Sequence, residues 1–277
     1  MMQRPKNSSL NRYALWSMPA CGRQALCPQV NTVRTIKLTI EYDGANYLGW
    51  QIQPNGQTIQ GVIQDRLKRL TGESIHVMGS GRTDAGVHAL GQVAHFKTES
   101  RMSANTFQKA LNSLLPKDIV IRRVEEVEAE FHARNNVTSK IYEYRILNRR
   151  TRPAVDRQYV WHVPQKLNLD EMKKATHSLL GEHDFSAFRS VGSSTRSSVR
   201  NILRADWKTG KIGLLRFEIE ATGFLKQMVR AIVGTLVEVG RGKIFAQEFK
   251  RILDSKDRKE AGPTAPAHGL FLKEVKY

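Results

Sequence analysis

The chain has 277 residues, enough for one large domain or two ordinary ones, and its 40% hydrophobic and 25% charged residues match a globular protein. Forty-four Lys and Arg against 26 Asp and Glu leave a net charge of +18; such a field attracts polyanions, nucleic acid above all, and the plain alternative is a solvated basic surface. No apolar run approaches the roughly 20 residues of a membrane helix, because Lys226, Arg230 and Glu238 break the longest candidate, 224–240.

Residues 1–33 stand apart. No acidic residue precedes Glu41, and Arg4, Lys6, Arg12 and Arg23 are scattered among Ser, Asn and Pro without apolar periodicity. A disordered basic extension is expected. A transit-like segment, an RNA-binding arm and an upstream start, with Met18 as the later one, are the alternatives. Both cysteines, Cys21 and Cys27, fall here, with no His near enough to complete a zinc tetrad. The folded part thus lacks a disulfide framework and a cysteine nucleophile.

From Ile36 the pattern sharpens. Ile36, Leu38, Ile40 and Tyr42 alternate with polar residues, as in a half-buried strand. After the loop signals "DGANYLG" and "QPNGQ", Thr58 is placed to cap a helix carrying Ile59, Val62, Ile63, Leu67 and Leu70, stopped by Gly72. A short strand over 75–78, the strand "GQVAHF", a helix capped by Ser103 and ended by Pro116, and a strand over 119–124 follow. The second half repeats the order. A strand over 141–147 sets Tyr142, Tyr144 and Ile146 on one face, and a small strand near 159–163 comes next. Asn168 caps a helix stopped by Gly181. The strands "VRNILRADW" and "GLLRFEIEA", a helix from Phe224, a short helix with Phe249, Ile252 and Leu253, and the strand "GLFLKEVKY" complete it. The expected class is α/β of the α+β kind: two tandem β-α-β-β-α-β halves, ferredoxin- or RRM-like, over 34–135 and 136–277, with the boundary between Val127 and Ser139. Such antiparallel sheets carry helices on one face, and the open face is a platform for RNA.

Two constellations carry chemistry. The loop "GSGRTDAGVHALGQ" (79–92) is long for a hairpin and sets Arg82 two residues before Asp84. Turn and site both explain its glycines and aspartate. A phosphate loop does not fit, since no GK[ST] follows. A metal site from Asp84, His88 and His95 lacks a second carboxylate, and packing or hydrogen-bonding roles for the histidines are the plainer reading. The second constellation is "FLKQMVRAIVG". Phe224, Met228, Ile232 and Leu236 form one i, i+4 row, Leu225, Val229, Val233 and Val237 the next, and both belong to a buried face. Lys226 and Arg230 form a third row, continued by Gly234, which admits close backbone approach. Arg230 either meets solvent or RNA phosphate, or pairs with a carboxylate across the sheet; the sequence leaves both open.

With these residues in view, the chain resembles the tRNA pseudouridine synthase A (TruA) family from about Thr35 onward. "EYDGANYLGWQ", "GRTDAGVHALGQVAHF", "FHAR", "SKIYEYRI", "RPA", "GEHDFSAF", "FLKQMVRAIVG" and "APAHGLFL" occur in family order. The resemblance implies the pseudouridine synthase fold, with merged, mainly antiparallel sheets and a cleft between the halves. It implies a homodimer without metal or organic cofactor, a cytoplasmic location, and conversion of uridine to pseudouridine at positions 38–40 in the tRNA anticodon stem-loop. Residue by residue it makes Asp84 the catalytic aspartate, as nucleophile or base. Arg82 becomes the arginine that flips and positions the base, and Tyr142 the tyrosine against it. Arg230 becomes the salt-bridge partner of the aspartate, and Leu270 the apolar residue lining the pocket. Ser80 stands where Ala is frequent, and Lys226–Gln227 where aromatic residues or His are frequent. The competing readings are a non-catalytic RNA-binding module and a metal-dependent nuclease; the latter would need clustered carboxylates at Asp84.

Overall fold

Alternating strands and capped helices come out in the expected order in a computed structural model, which describes residues 33–190 and 197–277. The expected basic extension, with Met18, Cys21 and Cys27, lies outside the described residues. The first half comprises β1 (Arg34–Tyr42), α1 (Ile59–Thr71), β2 (Met78–Gly79), β3 (His88–Thr98), α2 (Ala104–Leu114) and β4 (Ile119–Val127). The second comprises β5 (Ser139–Asn148), β6 (Trp161–Val163), α3 (Leu169–His177), β7 (Gly181–Asp184), β8 (Val199–Thr209), β9 (Leu214–Ala221), α4 (Met228–Gly240), α5 (Ala246–Ser255) and β10 (Leu270–Lys276). Thr58, Ser103 and Asn168 each accept a backbone N–H of their helix's first turn, and Gly72 ends α1 at φ 76°. These are the groups a helix start leaves without partners and the conformation a helix stop favours.

Among the described residues the strands form one ten-stranded sheet in the order β4-β1-β3-β10-β5-β9-β8-β7, with β2 beside β3 and β6 beside β5. Each half therefore runs fourth, first, third, second: β4-β1-β3 with the stub β2, and β10-β5-β9-β8. Pairings are antiparallel except β5 with β6 and β10 with β3. The latter joins the halves through Phe271 opposite His88 and Leu272 opposite Ala89. One face carries Ile36, Leu38 and Ile40 of β1 and Tyr144 and Ile146 of β5, which share a core with Ile63 of α1, Met172 of α3 and Ile232 of α4.

The opposite face is not a bare platform. In the first half Phe131 and Tyr277 lie over it, with the Lys37 ammonium 5.6 and 5.0 Å from their rings. In the second half its charges neutralise one another. Glu218 is buried and takes Lys208 at 2.8 Å, Lys273, and Arg204 at 3.6 Å. Burial alone would raise its carboxyl, but hydrogen bonds from Lys208 and Lys273 outweigh it and hold the group down to about 2. Glu220 pairs with Lys276 at 2.8 Å, and Glu143 with Arg145 at 2.6 Å.

Four local expectations need correction. The helix expected from Phe224 begins at Met228, because Gln227 adopts φ 61° and cannot continue a right-handed turn. Lys226 is therefore not on the helix, and the row Lys226–Arg230–Gly234 does not exist. Gly181 does not stop α3, which ends at His177; at φ 90° it opens β7 instead. The strand expected over 75–78 shrinks to Met78–Gly79. β3 begins at His88, three residues before "GQVAHF", so His88 belongs to the strand rather than the loop.

Candidate active site

The loop between β2 and β3 is held at both ends and along its length. At its root the buried Ser80 donates its hydroxyl to Gln92 Oε1 at 2.7 Å, its N–H to Val93 O at 2.7 Å, and Gln92 Nε2 returns to Gly81 O at 3.0 Å. The segment after β1 lies against it: Trp50 N donates to Thr83 O at 3.1 Å, and Tyr42 and Thr83 share a hydroxyl hydrogen bond of 2.8 Å. Burial pushes the Tyr42 hydroxyl up to about 12, so it stays protonated beneath the loop. Two glycines make the apposition possible. A Cβ on Gly44 would sit 2.0 Å from Val87 O, and one on Gly49, at φ 88°, 2.5 Å from Thr83 O. Val87 N closes a turn onto Asp84 O at 3.2 Å. The loop is a turn, and it fixes one carboxylate.

That carboxylate meets a cation from the other half. Arg230 Nη1 lies 3.1 Å from Asp84 Oδ2, with the side chains 14% and 24% exposed. Every residue of α4 except Arg230 is buried. A guanidinium here, stripped of its partner, would cost about 3–5 kcal/mol, so the fold must supply acceptors. Asp84 is one. The other is Ala265 O, 2.8 Å from Arg230 Nε, while Ala265 N donates back to Arg230 O at 3.0 Å. The strap 262–266 reaches this close because α4 carries Gly234, where a Cβ would lie 1.7 Å from Pro263 O. Tyr144 Oη donates to Pro266 O at 2.7 Å and holds the strap's far end.

The remaining expected residues divide. Tyr142 is 8% exposed, and its ring meets Phe224 edge-on at 5.0 Å. Burial, then the Tyr42 hydroxyl and the Asp84 charge, raise its own hydroxyl, so the tyrosine lies within electrostatic reach of the aspartate. Leu270 is buried opposite Tyr144 in the β10–β5 register, two pairs from Leu272 opposite Tyr142, and lines the same face. Arg82 is exposed and forms no ion pair among the described residues; it is not drawn to Asp84. The two histidines are occupied elsewhere. His88 stacks on Phe271 at 4.8 Å, with Nδ1 2.9 Å from Asp43 Oδ1, and His95 Nδ1 accepts Ala133 N–H at 3.1 Å.

Sequence reasoning missed three contributors. Ala265 and the strap carry no side-chain chemistry that could announce them. Tyr42 reads only as a core strand residue. Lys140, whose ammonium donates to Ser80 O at 2.7 Å, drew no reading, although alternation along "SKIYEYRI" sets it on the face of Tyr142.

A carboxylate of the first half is thus held by a guanidinium of the second, with a buried tyrosine within electrostatic reach. The family model described as tRNA pseudouridine synthase matches residues 38–136 and 175–277. The tRNA pseudouridine synthase A of Acetivibrio thermocellus is 50% identical over 245 residues, 88% of this chain and 100% of its own length. That of Caldicellulosiruptor saccharolyticus and the tRNA pseudouridine synthase A 2 of Clostridium perfringens are each 49% identical over 245 residues, with the same coverage of both chains. Matched by the family model over most of its length and half identical to a relative that it covers in full, the chain belongs to the tRNA pseudouridine synthase family.

Proposed function

We propose that the chain isomerises uridine to pseudouridine in the anticodon stem-loop of tRNA, at positions 38–40, with Asp84 acting on the target nucleotide. The observation that carries the reading is the Asp84–Arg230 pair, made between the halves at 3.1 Å. The reaction breaks the N1–C1′ bond, turns the uracil and rejoins it through C5. The C5 hydrogen leaves as a proton and the freed N1 takes one up, so the isomerisation is redox-neutral and the reading calls for no metal or organic cofactor. A carboxylate needs no partner base to serve as nucleophile or proton acceptor, unlike a serine. Glycosidases commonly use two carboxylates; here one suffices because the base is retained and rejoined. Arg230 orients Asp84 through its 3.1 Å contact.

Tyr142 and Leu270 form the wall against which the detached uracil turns without escaping. Arg82, exposed on the loop, displaces the base from its stack and fills its place. Unstacking costs a few kcal/mol, which this insertion and phosphate contacts offset. The reading includes a homodimer at work in the cytoplasm, where its substrate is found.

The test is incubation with an unmodified tRNA transcript followed by mapping of pseudouridine, with tritium release as the rate assay. The chain converts uridine at positions 38–40, and Asp84→Asn retains tRNA binding while losing conversion. Turnover by Asp84→Asn, or product only outside the anticodon stem-loop, overturns the reading.

A further inference from the structure

Lys140 is placed unlike the other lysines. It stands on β5 two residues before Tyr142, on the same face of the strand, and is only part-exposed. Its ammonium donates to Ser80 O at 2.7 Å and fills the space above Gly81, where a Cβ would lie 2.7 Å from Nζ. A cation from the second half is thus seated on the root of the first half's catalytic loop, beside the residue that precedes Arg82. The buried carboxylates among the described residues are matched: Glu143, Glu218 and Glu238 each have Arg or Lys partners within 3 Å. Lys140 has no carboxylate partner among the described residues.

The neighbouring charge makes the imbalance worse. Burial pushes the Lys140 ammonium down to about 8, and the positive charge of Arg134 pushes in the same direction. Arg134 is exposed and likewise unpaired among the described residues. Its backbone is fixed, because Arg134 N and Asn135 N both donate to His132 Nδ1 at 3.2 Å, and Ala133 N donates to His95 Nδ1 at 3.1 Å. A second cation close enough to push the half-buried ammonium down leaves Lys140 in need of an anion, and an anion bound beside it relieves that cost. The anion that a chain of net charge +18 meets at this cleft is an RNA phosphate.

We propose that Lys140 and Arg134 form a phosphate subsite that grips the tRNA backbone beside the target nucleotide, and that Lys140 ties this grip to the catalytic loop through Ser80. The inference rests on the reading of the substrate as tRNA. Of its two residues, Lys140 acts on the loop as a positioning residue as well as on the phosphate, while Arg134 acts on the phosphate alone.

The test is equilibrium binding of an unmodified tRNA transcript to the full chain and to Lys140→Met and Arg134→Gln over a range of salt concentrations. Each substitution weakens binding roughly tenfold at moderate salt and flattens the slope of log affinity against log salt by about 0.7–0.9, the share of one phosphate contact. Lys140→Met also lowers kcat at saturating tRNA more than Arg134→Gln does. Unchanged slopes in both variants overturn the subsite. So does a Lys140→Met that loses kcat with affinity and slope intact, which would leave the lysine a purely positioning role. Should Lys140→Met fail to fold, the exposed Arg134→Gln decides the matter by its slope alone. Failure of the wild-type chain to convert uridine would overturn the proposed function, and the slope comparison would still read the subsite.

Discussion

Gly234→Ala isolates the strap from every residue that touches substrate. Alanine is the better helix former by about 1 kcal/mol, so an exposed helix would gain from the change. Here the new methyl group would sit 1.7 Å from Pro263 O, 2.9 Å from Pro263 C and 3.2 Å from Ala265 N. All three are backbone atoms, which cannot swing aside as a side chain would. The strap must withdraw by well over an ångström. Doing so strains or breaks the bonds of Arg230 with Ala265 (2.8 and 3.0 Å), of Gly262 N with Thr235 Oγ1 (2.9 Å) and of Tyr144 with Pro266 O (2.7 Å). Overpacking costs about 1–3 kcal/mol, and each lost hydrogen bond about 1 kcal/mol. With two of these four bonds lost, and against the propensity gain, a net loss of about 2–4 kcal/mol in unfolding free energy is expected. Arg230, having lost one of its two acceptors, no longer presents its guanidinium squarely to Asp84, and kcat falls by about a hundredfold, the scale of an ångström's misplacement. Urea unfolding at constant m-value reads the first effect and tritium release from uridine-labelled tRNA the second. A variant as stable as wild type with full kcat would refute the account of both the strap and Gly234.

Two further outcomes follow from the same geometry. Arg230→Lys keeps the charge but offers one ammonium where the guanidinium reaches both Ala265 O and Asp84; kcat falls roughly 10–100-fold with little change in tRNA affinity, and a Lys variant with wild-type kcat refutes the two-acceptor role. His95 is buried and neutral, its ring held down to about 4 by burial and then by the charges of His132 and Lys97. Because the unfolded chain takes up this proton first, stability is lost as pH falls from about 6.5 toward about 4, amounting to about 2 kcal/mol between pH 7 and pH 5. His95→Gln, which still accepts Ala133 N–H, removes that share; equal acid sensitivity of wild type and variant in urea unfolding refutes it.

Much of this architecture is visible in the bare sequence because each signal is local. The alternation of Ile36, Leu38 and Ile40, and the caps Thr58, Ser103 and Asn168, act within a strand or a helical turn. The 3.6-residue period misled at Phe224 for an equally local reason. Apolar spacing cannot report that Gln227 turns left-handed, and the residues before it keep the helical rhythm while packing as a loop against Tyr142. The meeting of Asp84 with Arg230 was not legible from spacing, since 146 residues separate them; family likeness named the pair and the coordinates bring it within 3.1 Å. Lys140 stood inside "SKIYEYRI" but drew no reading, because sequence does not report that a lysine's end is covered. Ala265 opens the quoted motif "APAHGLFL", but its role was not legible: what it offers is a backbone carbonyl, which every residue has.

The junction of the two halves gives the cleft a mechanical character. β5 is laddered to β9 from Lys140 to Leu147, whereas β3 meets β10 only at His88 and Ala89. A sheet yields where its ladder is shortest, and this narrow join begins four residues after Asp84. The aspartate rides on one side of it and Arg230 on the other. Flexing at this join would change the distance between Asp84, the proposed catalytic anion, and its counter-ion Arg230. The same join that makes one sheet of two makes the alignment of this pair a mechanical variable.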